Sequence, residues 1–241
     1  MFITQIHKEY KQSWILALCC LLAHSLLAQQ EAVFRNLDMK EGLSQGTVFA
    51  VAQDEIGHMW FGTRDGLNKY DGYQFTIYRH VPQQSTSLVG NDIRVLYFDT
   101  LIQTLWVGTL QGLSRYDAKV DTFQNYTEPQ GLSSSSVRCI QRDSKGRLWV
   151  GTADGLNLMQ EDGQHFQPIP LDFPHNIDRE IIAITEDSEG NLLIGVDNGL
   201  YQLVEEDSSH FSVLPLVTKE KFSLSDYRIQ ALLEGDPGQL W

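Results

Sequence analysis

"MWFGTRDGLNKYDG", Met59 to Gly72, packs an aromatic pair, a Gly-Thr step and two glycine turns into fourteen residues. Taken once, it fits a phosphate loop, a hairpin or an active-site turn. A phosphate loop needs a Lys-Ser/Thr pair and an opening helix after its glycines, and neither follows here. The chain then says nearly the same thing again. The first unit extends as "DEIGHMWFGTRDGLNKYDGYQFTIY", Asp54 to Tyr78. "LWVGTLQGLSRYDAKVDTFQNY" runs from Leu105 to Tyr126, "DSKGRLWVGTADGLNLMQEDGQHF" from Asp143 to Phe166, and "DSEGNLLIGVDNGLYQLVEEDSSHF" from Asp187 to Phe211. "LLEGDPGQLW" opens a fifth copy and reaches Trp241.

The Gly-Leu pairs begin at 66, 112, 155 and 199, so the repeat is 43 to 46 residues long. Each copy parses into four short strands. In the first, Val48 to Gln53 is apolar and strand-like, and "DEIG" turns into Met59 to Thr63. "RDG" then turns into Leu67 to Tyr70, with Gly66 free to take positive φ, and "DGYQ" turns into Phe75 to Tyr78. Helical spacing is absent and turn signals recur closely. Four strands in a unit of this length predict an all-β chain of β-propeller blades. Aligned first strands place Ala50, Val95, Cys139, Ala183 and Ala231 in one column, as expected where innermost strands crowd a propeller axis. The same alignment makes Cys139 a small core residue rather than a reactive thiol.

The expected organisation is a leader over 1–28, an outer strand with its lead-in loop over 29–47, and blades over 48–86, 87–131, 132–175 and 176–223. A truncated fifth blade occupies 224–241. "FRNLDMKEGLSQGTV" (34–48) matches "FQNYTEPQGLSSSSV" (123–137), so Phe34 to Leu37 reads as an outer strand without its own blade. Such a strand closes a propeller ring by pairing with the last blade. These features describe about four complete blades plus a partial fifth, an open piece of a ring. A seven-bladed ring at this period needs about 310 residues. An open arc alone would expose sheet faces and edges, and is expected to aggregate or to be protease-sensitive.

Lys8 and Lys11 precede an apolar run from Trp14 to Leu27, then Ala28. That is the pattern of a secretory signal peptide, cut after Ala28 or, as a second candidate, Ser25. A membrane anchor is the alternative, but fourteen helical residues rise about 21 Å, short of a hydrocarbon layer of about 30 Å. Cys19 and Cys20 follow Leu18 and Cys19, not the small residue that precedes a lipid-attachment cysteine. With the leader removed, Cys139 remains without an intrachain disulfide partner. The net charge of −13, from 31 acidic against 18 basic residues with no basic run, argues against nucleic acid and anionic lipid as partners.

The recurring residues D-x-x-G-x-[LM]-W-[FV]-G-T-x-x-G-L, followed by Tyr-Asp, resemble the two-component regulator propeller repeat over roughly Phe34 to Trp241. The fourth copy departs, with Leu193 for Trp and Val196-Asp197 for Thr-x. The resemblance implies the periplasmic sensor region of a membrane receptor, detecting oligosaccharides and regulating a histidine kinase beyond this chain, in a homodimer. A diguanylate cyclase receptor, a secreted interaction scaffold and a propeller hydrolase or lyase remain as alternatives.

No recurrent catalytic set, cofactor motif or metal-ligand spacing emerges, so no enzymatic role is expected of this chain. The D-x-x-G turns at Asp54, Asp143 and Asp187 read as aspartates capping backbone amides; calcium would need six to eight oxygens. Trp60, Trp106 and Trp149 read as inter-blade core rather than sugar platforms. Gly62, Gly66, Gly108, Gly112, Gly151, Gly155, Gly195 and Gly199 complete the structural repeat. His58, His80, His165, His175 and His210 lie in turns or loops with no shared spacing. Asn125-Tyr126-Thr127 fits a glycosylation sequon, a weak signal here. Arg94 and Arg138, in one column beside the small one, are the candidate ligand-binding residues, for an acidic sugar or another carboxylate. The alternative is that each is neutralised by a neighbouring acid or carbonyl. The connecting loops Val81 to Gly90 and Pro170 to Arg179 are the other candidate recognition elements.

Overall fold

The computed structural model describes residues 34–173, 179–197, 199–207, 210–216 and 229–241. The expected leader, with its cleavage positions and cysteines, and His175 lie outside the described residues. From Asp38 onward, the described strands form four four-stranded antiparallel sheets, each made of consecutive strands. Blade 1 holds β1 (Val48–Gln53), β2 (Met59–Thr63), β3 (Gly66–Tyr70) and β4 (Phe75–Tyr78). Blade 2 holds β5 (Ile93–Asp99), β6 (Thr104–Thr109), β7 (Leu113–Asp117) and β8 (Thr122–Tyr126). Blade 3 holds β9 (Val137–Arg142), β10 (Leu148–Thr152), β11 (Gly155–Met159) and β12 (Phe166–Ile169). Blade 4 holds β13 (Ala183–Glu186), β14 (Leu192–Val196), β15 (Gly199–Glu205) and β16 (Phe211–Pro215). This is the all-β propeller architecture predicted by the repeat.

Period-two alternation sends each blade's side chains to two neighbours. Trp60 and Leu67 face the next sheet, where they pack with Ile93, Leu105, Val107, Tyr116 and Phe123. Trp106, Leu113 and Tyr126 meet Val137, Ile140, Leu148, Val150 and Phe166. Trp149 and Leu156 meet Ile181, Ile184, Leu192, Ile194 and Phe211. The core is therefore a series of slabs between blades, and the three tryptophans are among its largest fully buried side chains. Among the described residues, the first blade has no such cover on its other face. Val51 there is 52% exposed, whereas its counterparts Ile140 and Ile184 are buried.

The two glycines of each motif serve different ends. Gly66, Gly112, Gly155 and Gly199 have φ of 111°, 142°, 125° and 156°, a turn conformation that side chains with a Cβ disfavour. The glycine of Gly-Thr is there for space. A Cβ on Gly62 would sit 2.5 Å from Ile93 Cγ2, and one on Gly151 would sit 2.4 Å from Cys139 Sγ and 2.8 Å from Ile181 Cγ2. Val137 fills the corresponding hole at Gly108, and Ile229 the one at Gly195. A β-branched knob from each following unit thus enters a glycine hole of the unit before.

Two sequence expectations need correction or report at the chain's described ends. Phe34 to Leu37, expected as an outer strand, forms no strand. Near the other end Glu234 bridges Leu240, and Leu233 and Trp241 exchange backbone hydrogen bonds of 3.1 and 2.8 Å, so the fifth copy begins its first hairpin.

Candidate functional site at the inner ends of the first strands

The Asp turns show where the motif's polar residues go. Asp54 Oδ1 accepts from the backbone N–H groups of Ile56 and His58, and Oδ2 accepts from the Trp60 indole at 3.0 Å. In blade 3, Asp143 accepts from the Arg147 backbone and from the Trp149 indole at 2.9 Å. In blade 2, Trp106 reaches Asp99 at 3.4 Å, and Asp99 also accepts from Arg142 of blade 3 at 2.7 Å. Burial tends to raise the Asp54 carboxyl, but hydrogen bonds from Trp60 and His58 outweigh it and hold the group below its ordinary range. These oxygens are committed to donors within the fold, which fits capping aspartates. His58, His165 and His210 each pair through Nδ1 with an aspartate of their own turn, at 3.0, 2.6 and 2.8 Å. The Asn125 amide donates to Ser85 and Ser87 carbonyls and accepts from Ser114 Oγ, so glycosylation there would break an internal network. Cys139 is buried with its thiol pushed up by desolvation, the behaviour of a core residue.

What remains is a cluster at the beginnings of the innermost strands. In blades 1 to 3 the ladder slips by one residue at the same place. Val48 pairs with Thr63 and Ala50 with Gly62; Ile93 pairs with Thr109 and Val95 with Gly108; Val137 pairs with Thr152 and Cys139 with Gly151. The extra residues are Phe49, Arg94 and Arg138. A β-bulge leaves one residue out of the ladder and re-aims its side chain. Here it leaves Phe49, Arg94 and Arg138, with Ile182, Gln230 and Glu180, around one cavity of about 310 Å³. The two arginines expected as ligand-binding residues are thus brought to one site.

Both are already opposed by acids. Arg94 Nε lies 2.9 Å from Asp92 Oδ1, and its Nη2 donates to Oδ2 at 3.1 Å. Its guanidinium also stacks over the Phe49 ring at 4.9 Å. Arg138 Nε lies 2.6 Å from Glu180 Oε1, across the boundary to the next blade. Close approach is not alignment: Arg94 Nε, Arg138 Nε and Asp92 Oδ1 are buried without a directed hydrogen bond. Charge is balanced while hydrogen-bonding capacity is left over. Phe49, Asp92 and Glu180 were not foreseen as site residues. The signal for Phe49 was its position, one residue before Ala50, in the column that holds both arginines.

Of the two candidate loops, Val81 to Gly90 is tied down by Ser87, whose Oγ accepts from the Val81 N–H at 2.9 Å and donates to the Gln84 carbonyl. Part of Pro170 to Arg179 falls outside the described residues. No described helix is long and apolar enough to cross a membrane.

The profile of the two-component regulator propeller family matches residues 42–65 and 131–154. Over 68 residues the chain is 53% identical to histidine kinase P4 of Formosa agariphila, a match covering 28% of this chain and 5% of that protein. Among solved structures, it resembles the extracellular domain of a hybrid two-component system from B. thetaiotaomicron, with 28% identity and a TM-score of 0.65, over 76% of this chain and 26% of that one. PorZ, a surface component of the type-IX secretion system of Porphyromonas gingivalis, shares the fold at 15% identity and a TM-score of 0.61, over 80% and 30% of the two chains. Virginiamycin B lyase from Staphylococcus aureus does so at 13% and 0.60, over 80% and 61%. The last two show architecture alone. The chain spans 5% of that histidine kinase and 26% of that extracellular domain; its blades, registers and motif are those of a β-propeller, two stretches of which match the two-component regulator propeller model.

Proposed function

We propose that these blades belong to the extracytoplasmic sensing region of a two-component receptor, on the periplasmic face of the inner membrane, where they detect an oligosaccharide and regulate a histidine kinase outside this chain. The observation that carries the proposal is the pairing of two sequence likenesses, to a histidine kinase and to the extracellular domain of a hybrid two-component system, on one propeller. A binding role is supported by the geometry: the motif aspartates and tryptophans are used up in the blade interfaces, while the bulged column gathers part-exposed arginines around one cavity. In the receptor, a homodimer, ligand would favour one dimer geometry over another, and only a difference in affinity between the two shifts the kinase.

The test is autophosphorylation of the full-length receptor in membrane vesicles, with an oligosaccharide panel on the sensor side. A saccharide that changes the rate supports the proposal. Unchanged rates together with no calorimetric binding across the panel would contradict it.

A further inference from the structure

Resting on that sensing role, we infer that the cavity at the bulged column takes a neutral, hydroxyl-rich sugar ring rather than an acidic one. The expectation from sequence ran the other way, because two arginines in one column suggest a carboxylate. The structure supplies each with its own acid: Asp92 for Arg94 and Glu180 for Arg138. A ligand carboxylate would have to displace one of these, leaving a partly buried acid without its counter-charge, which is costly. The net charge of −13 adds long-range repulsion of anions.

The charged side chains that line the cavity keep part of their surface open beside their partners, Arg94 24%, Arg138 31% and Glu180 13%, so donors and an acceptor face the same space. A hydroxyl both donates and accepts, so neighbouring sugar hydroxyls suit a site that presents donors and acceptors side by side, whereas a carboxylate only accepts. The Gln230 amide adds one group of each kind to the lining. Phe49 and Ile182 supply apolar surface for the C–H face of the ring, and the Phe49 ring is held in place by Arg94. A cavity of about 310 Å³, lined by two apolar and four polar or charged side chains, is of the size of a small-ligand site. The recurrence of the bulge in three consecutive blades is the strongest sign of a built site: each slip costs ladder hydrogen bonds and aims one side chain at the same space.

The experiment is titration calorimetry on the full-length protein with cellotetraose, laminaritetraose and galactotetraose, and with trigalacturonate as the acidic counterpart. A neutral tetrasaccharide is expected to bind at least about ten-fold more tightly than trigalacturonate, with little dependence on salt. Arg138→Ala is expected to weaken binding by roughly ten- to a hundred-fold. Phe49→Ala and Gln230→Ala, at part-exposed positions that leave the slabs intact, should each weaken it several-fold, which keeps the test valid if Arg138→Ala misfolds. Saccharide binding untouched by Phe49→Ala and Gln230→Ala would overturn the site while leaving the sensing role standing. Preference for trigalacturonate would overturn the neutral ligand alone. No binding by any of the four would count against both.

Discussion

Blades 3 and 4 solve one packing problem with different residues. In blade 3, Trp149 is fully buried and its indole donates to Asp143, while Arg147 Nε donates to the same carboxylate at 2.7 Å. In blade 4, Leu193 stands where the tryptophan would be and is equally buried, but it has no N–H. Asn191 takes over: its side-chain amide donates to Asp187 at 2.9 Å, and its carbonyl accepts from Gln202 at 2.8 Å. The Asp187 Oδ1 cap on the following turn is unchanged in kind, with the Asn191 N–H at 2.7 Å. What the repeat preserves is a satisfied carboxylate, buried in blade 3 and half-buried in blade 4, and a filled slab; the tryptophan is one way to do both.

That comparison can be broken most severely at the aromatic side. Trp149→Ala removes the slab's largest side chain and strands part of Asp143, so a loss of about 3–5 kcal/mol is expected, read by hydrogen exchange of β10 in the full-length protein. Leu193→Ala, which strands no polar group, should cost less, about 2–4 kcal/mol on β14. Equal losses would show that the indole bond contributes nothing beyond volume. Gly151→Ala pushes a methyl against Cys139 and Ile181 and should cost about 1–3 kcal/mol. By contrast, Gly155→Ala meets nothing closer than 3.6 Å and should cost only its positive φ, about 1 kcal/mol. Asn191→Leu leaves Asp187 short of a donor, with about 1–3 kcal/mol expected on blade 4 and none on blade 3.

Acid gives the mildest perturbation. The Asp54 carboxyl is more acidic in the folded blade than in the unfolded chain, where its ordinary value is 3.8. Its stabilisation is therefore complete above that value and is lost as pH falls through the folded value. Asp54→Asn should flatten this acid limb of the stability profile of blade 1, as measured by exchange rates of β2 between mildly and strongly acidic buffers. An unchanged limb would mean that the cap does not titrate with folding.

Most of the architecture was readable because the repeat states it four times. β1, β2 and β4 coincide with the strands read from Val48–Gln53, Met59–Thr63 and Phe75–Tyr78, and β3 begins one residue earlier than Leu67. Turn glycines and alternating apolar residues are local signals, and they recur in register. The bulges were not readable. A one-residue slip at Phe49, Arg94 and Arg138 repeats at the same place in three consecutive copies, so an alignment of copies hides it. The acids were missed for a different reason: Asp92 lies two residues before its arginine, and Glu180 reaches Arg138 from the following unit 42 residues on. Both acids stand two residues before the bulged column of their own copy, yet one pairs within its copy and the other with the copy before, a choice the period does not fix. Asn191 was likewise invisible as a substitute for the indole, since the residue that compensates is not the residue that changed.

The central claim is that the motif is scaffold and the bulged column is the site. Hydrogen exchange of the full-length protein, with and without a saturating neutral tetrasaccharide, separates the two. Protection is predicted at the starts of β1, β5 and β9, around Phe49, Arg94 and Arg138, with the Asp54 and Asp143 turns unchanged. Protection confined to those turns, or to the outer strands β4, β8 and β12, would contradict it.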